Sequence, residues 1–103
     1  MTLHVDLISE DFDVVRTIAD DFGLDTYISH FRNSGYELLR FLDPYGDTIF
    51  NREQRLPLKA ELERFRDSLN SGQDELRLWL DRVVGLVNEC HALVHHYVRF
   101  RGM

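Results

Sequence analysis

Apolar positions recur along the chain at two different periods. Over residues 3–8 (LHVDLI), Leu3, Val5 and Leu7 alternate imperfectly with their neighbours, a period-2 pattern that predicts a short strand or an extended arm. Beyond Ser9 the spacing lengthens. Val14 or Val15, Ile18 and Phe22 fall on one face of a helix over about 10–22. Ser9 or Asp11 would cap it, the early acids would suit its dipole, and Gly23 would stop it. Residues 25–33 (DTYISHFRN) fit one or two further helical turns behind Asp25, and Ser34-Gly35 breaks the chain.

The middle of the chain reads as a hairpin. YELLRFL is rich in strand formers, DPYGD has the chemistry of a tight turn, and TIF resumes the strand, giving a hairpin over 36–50. The rival is a loop between two helices. Asn51 and Gln54 then have the spacing of a reciprocal cap. Pro57 suits the first position of a helix to about Leu69, whose Leu58, Leu62, Phe65 and Leu69 share a face.

The strongest periodicity lies at the end. Leu76, Leu80, Val83, Val87, Cys90, Val94 and Tyr97 form one stripe of a helix over about 74–100, capped by Asp74. Trp79, Leu86, Leu93 and Phe100 extend a second, overlapping stripe. The joint face is wider than a surface helix needs. Either this helix runs through the core, or a second chain covers part of it as a homodimer. The expected fold is mainly α with a small β-hairpin (α+β). It is one compact domain over 1–103 with a long, broadly apolar C-terminal helix.

Charge sharpens this picture. The formal net charge is −6. Residues 1–30 carry Asp6, Glu10, Asp11, Asp13, Asp20, Asp21 and Asp25 against Arg16 alone, while acids and bases balance in the remainder. Such a field repels nucleic acid and attracts basic partners. Apolar residues make up 44% of the 103 positions, enough to build one core but not two. No apolar run approaches the ~18 residues of a spanning helix, and the start MTLHVDLISEDFD lacks the pattern of a secretory signal. With Cys90 as the single cysteine, no internal disulfide can form. A cytoplasmic protein, without nucleic-acid or membrane partners, is expected.

Catalytic constellations are not apparent in the sequence. His91 and His95 have the i, i+4 spacing of a helical metal site, but Ala92 stands where the HExxH form needs a glutamate. Cys90 reads as an inert core thiol. There is no GxSxG elbow, and the glycines are isolated, so no phosphate loop forms. No catalytic residue, cofactor or metal ligand is assigned. The distinctive segment is DPYGDTIFN at 43–51. Its polar residues either satisfy the turn's own backbone or form a recognition loop anchored by Tyr45.

DPYGDTIFN, the helix LKAELERF and the closing HHYVRFRG together resemble a family of small, largely uncharacterised bacterial proteins over about the last two thirds of the chain. Its members look like the small acidic partners of bacterial toxin systems, including immunity proteins. That resemblance and the charge give one expectation: a non-catalytic protein that binds and occludes a basic partner such as a toxin. Asp11, Asp13, Asp20, Asp21, Asp43, Tyr45 and Asp47 are the candidate contact residues. The alternatives are a small enzyme or ligand-binding domain with a site near His91 and His95, and a dimeric structural or adaptor protein.

Overall fold

Leu3, Val5 and Leu7 alternate because they belong to a strand, β1, Leu3–Ser9. A computed structural model describes residues 3–20 and 22–102, with His91 as backbone alone. The chain turns at Glu10-Asp11-Phe12 and returns as β2, Val14–Ile18, antiparallel to β1. Leu7 faces Arg16 and Ile8 faces Val14, so Val15 is the extra residue of a bulge. The expected helix over 10–22 is therefore wrong. Val14, Val15, Thr17 and Ile18 are β-branched and fit a pleated surface better than a helix.

The helical turns expected over 25–33 are present, as a 3-10 turn at Leu24–Tyr27 running into α1, Ile28–Asn33. The hairpin over 36–50 is half right. The DPYGD turn closes as expected, with the Gly46 amide donating to the Asp43 carbonyl (3.4 Å) and the Tyr45 amide to Asp43 Oδ1 (2.9 Å). After it comes β3, Asp47–Phe50. Residues 36–42 are no strand, however. They form a 3-10 turn at Leu39–Phe41, and the amides of Glu37, Leu38 and Leu39 donate to the Glu61 carboxylate at 3.0–3.1 Å. Amides captured by a carboxylate cannot also build a ladder.

The Asn51–Gln54 reciprocal cap forms as read from the sequence and leads into α2, Arg55–Asp67. Pro57 is the third residue of α2, still in the first turn, where its missing N–H has no helical partner to lose. Leu58, Leu62 and Phe65 are buried. The next helix, α3, spans Asp74–Ala92, with Gln73 rather than Asp74 at its cap position. Leu76, Trp79, Leu80, Val83, Val84, Leu86, Val87 and Cys90 all bury into one core. Its wide apolar face is thus covered within the chain.

The long helix over 74–100 is corrected at its C-terminal end. The chain leaves α3 at Ala92, turns through His95 at φ 59°, and continues as β4, His96–Gly102. Val98 and Phe100 point into the core, and Arg99 and Arg101 point away, a period of two. β4 is inserted centrally, giving a four-stranded antiparallel sheet of order β2-β1-β4-β3. The fold is thus α+β around a full sheet, not mainly α with a hairpin. The helices cover the face carrying Leu3, Val5, Leu7, Val98 and Phe100. The face carrying Asp6, Ile8, Tyr97, Arg99 and Ile49 bears none. Among the described residues, no helix is long and apolar enough to cross a membrane.

Candidate functional site

The β1–β2 connection is a three-residue loop. The Phe12 amide donates to the Ser9 carbonyl and the Ser9 amide to the Asp13 carbonyl, both at 2.9 Å. This is a tight turn followed by one left-handed residue, a position that glycine ordinarily occupies. Here it holds Phe12, at φ 64° with 58% of its surface exposed. A left-handed conformation costs a residue with a side chain about 1–2 kcal/mol. Glu10, Asp11 and Asp13 flank it, all exposed. Asp13 donates its amide to Ser9 Oγ, so the turn is fixed by backbone and serine while the carboxylates project outward.

A second turn lies beside the first, because Ser9 pairs with His96 across β1 and β4. His95, also left-handed and exposed, places Nδ1 3.8 Å from Glu10 Oε2. Phe12 and His95 are the two non-glycine residues with positive φ among the described residues. Both sit at the same end of the sheet. Backbone strain of this kind concentrates at functional surfaces. Exposed Val14 and Val94 complete an apolar, acid-rimmed tip.

The candidate contact residues do not gather in one place. Asp11 and Asp13 are at this tip. Asp43, Tyr45 and Asp47 are at the opposite end of the sheet, since Asp47 pairs with Arg101. Arg101 is five positions along β4 from His96, about 17 Å at ~3.3 Å per residue. Tyr45 is well exposed there, but Asp43 is spent on the turn. Asp20 is buried and accepts the amides of Leu3, Phe22 and Leu24 at 2.9–3.2 Å, so it staples the fold rather than meeting a partner. Asp21 lies outside the described residues. Phe12 was missed, because without glycine or asparagine the EDFD turn reads as a helix start.

The bare sheet face holds a buried charge cluster. Asp6 is fully buried. Its carboxylate accepts from Thr17 Oγ1 (2.7 Å), Arg99 Nε (3.0 Å) and Arg101 Nε (2.9 Å). Burial pushes this carboxyl up, but the hydrogen bonds from Arg101, Thr17 and Arg99 and the Arg101 charge outweigh it, holding the carboxyl below the ordinary value. The four groups stitch β2, β1 and β4 together from the side opposite the helices.

The alternative site near the histidines changes character. Because α3 ends at Ala92, His91 and His95 do not share a helical face, and the His91 side chain lies outside the described residues. His95 and His96 instead border an open cleft of about 280 Å³ with Asn51, Arg52 and Glu53. Another cleft, about 480 Å³, lies between Phe22, Tyr27 and the start of α3. Among the described residues, no three His, Cys, Asp or Glu side chains gather as a metal-ligand group. Cys90 is buried, and burial pushes its thiol up despite the nearby Arg55 and Arg52 charges, which disfavours the reactive thiolate. Comparison with family models, curated proteins and solved structures finds no match.

Proposed function

We propose that this protein is a non-catalytic interaction domain that docks a basic protein through its β1–β2 tip. The observation that carries this reading is Phe12, an exposed aromatic in a backbone slot suited to glycine, ringed by Glu10, Asp11 and Asp13. Aromatic anchors surrounded by complementary charge are the usual energetic centre of an interface. The charge rim speeds encounter and selects a cationic partner. Size, net charge −6 and the resemblance at DPYGDTIFN support the finer reading, an immunity-type inhibitor that occludes a toxin's basic face. Asp11 and Asp13 remain contact residues, joined by Glu10 and Phe12. Asp43, Tyr45 and Asp47 belong to a separate end.

The test is capture from a lysate of the cells that make the protein, at low and high salt. A basic polypeptide should be retained at low salt and released at high salt. It should be lost with Asp11→Lys/Asp13→Lys and kept with Asp67→Lys at the end of α2. Phe12→Gly should abolish capture while leaving the fold as stable or about 1 kcal/mol more so, since the strain is relieved. Capture indifferent to the tip variants, or none of a basic polypeptide, defeats the proposal. The inhibitor reading further requires that the captured protein lose its own activity on binding.

A further inference from the structure

At the start of α3 the surface opens into a cleft of about 480 Å³, a size that suits a small organic ligand. Its two aromatic walls are fixed without any ligand. The Tyr27 ring packs edge to face on Phe65, with centroids 5.0 Å apart, and its hydroxyl accepts from Gln73 Nε2 at 3.3 Å. Gln73 is itself held, because its Oε1 accepts the Asn70 amide at 2.9 Å. The Phe22 ring packs on Trp79 at 6.2 Å, and the Phe22 amide donates to the buried Asp20 carboxylate. Both rings line the cleft and are half-buried, and buried Leu76 completes the apolar lining.

Charge selects what this cleft takes. Among the described residues, its charged lining groups are Asp74 and Glu75. Two acids in a first turn answer the positive end of a helix and by themselves need no ligand. The aromatic walls beside them do not follow from that. Arg77 takes up Asp74 at 2.8 Å and turns its Nη2 to the carbonyls of Leu69 and Asn70. The Glu75 carboxylate is exposed and makes no hydrogen bond or ion pair among the described residues. An anionic ligand would meet that carboxylate and a net charge of −6. A neutral apolar ligand would strip water from Glu75 and return nothing for it. A cation on an apolar body meets neither penalty, since aromatic rings and a carboxylate attract the same charge. We propose that this cleft binds a small organic cation, a substituted ammonium, against Phe22, Tyr27 and Glu75. The length of α3, about 28 Å, separates it from His95 and the β1–β2 tip, so the site is independent of the partner surface.

Heteronuclear amide spectra of the full chain, titrated with choline chloride, test this. The neutral isostere, in which carbon replaces the quaternary nitrogen, is titrated in parallel, with ionic strength held constant by sodium chloride. Saturable shifts from choline should centre on Gly72, Gln73, Glu75 and Leu76, with a dissociation constant of about 1–10 mM. The isostere should bind about fivefold more weakly or less. Glu75→Gln and Phe22→Leu should each weaken choline about fivefold. Glu53→Gln, the same charge change beside His95 at the other end of α3, should leave its affinity unaltered, and thermal melts verify that each variant is folded. Shifts that never saturate, or that centre elsewhere, overturn the proposal. So does an isostere that binds as well as choline, or an affinity unchanged by either Glu75→Gln or Phe22→Leu.

Discussion

At the residue scale, backbone geometry separates positions set by the fold from those that work against it. Gly102 belongs to the first kind. A Cβ there would lie 2.6 Å from the Asp43 carbonyl oxygen and 2.7 Å from the Pro44 carbonyl. The Gly102 amide also donates to the Gly46 carbonyl at 2.8 Å. DPYGD and the closing RFRG are therefore two halves of one contact. Gly102→Ala forces backbone apart and should cost about 2–4 kcal/mol. That appears as a melting temperature lowered by roughly 10–25 °C; an unchanged melt would show that the turn does not need this approach. Phe12 is the second kind, where the cheaper residue for the fold is absent and an exposed aromatic stands instead.

At the element scale, two segments took a form that their own residues do not dictate. Residues 36–42 contain good strand formers, yet Glu61 reaches from α2 and takes three consecutive amides. Arg64, one turn on, stacks over the Tyr36 ring at 4.2 Å and donates to the Ser34 carbonyl. Helix α2 therefore decides the path of the segment. Glu61→Gln keeps the shape but removes the charge that strengthens these bonds, at about 1–2 kcal/mol. Amide exchange at Glu37, Leu38 and Leu39 should accelerate while that of β1 and β4 follows only the global change. Equal acceleration everywhere would contradict a local role. The other segment is β4. Leu93, Val94, Tyr97 and Phe100 continue the α3 stripe by coincidence of spacing, while the alternation that β4 follows is carried by Val98 and Phe100. Pairing with both β1 and β3 settles the choice, and neither neighbour is local in sequence.

At the scale of the whole molecule, the carboxylate of Asp6 links acid stability to the sheet. Its folded-state pKa lies below its unfolded value. The stability it supplies is complete above the unfolded value, about 4, and disappears as pH falls through the folded value. Asp6→Asn removes the carboxylate charge that Arg99 and Arg101 share and should cost about 2–4 kcal/mol at neutral pH. It should also flatten the acid limb, so that parent and variant converge at low pH. Denaturant midpoints measured from pH 2 to 7 would show it, and parallel curves at every pH would contradict it.

The sequence by itself determined the local pieces: the alternation of β1, the α1 turns, the DPYGD turn, the Asn51–Gln54 cap, the stripe of α2 and the wide buried face of α3. Each depends on residues within a few positions of one another, so propensity, capping and periodicity suffice. It also located the acidic third of the chain, and with it Asp11 and Asp13. Tertiary structure alone decided that residues 14–18 and 96–102 are strands, that Asp20 is a staple, and that Phe12 and His95 lie at one end of the sheet while Tyr45 sits at the other. A strand acquires its register and one of its faces only from partners, and here the central pairing joins residue 3 to residue 102, a separation across which local periodicity carries no information.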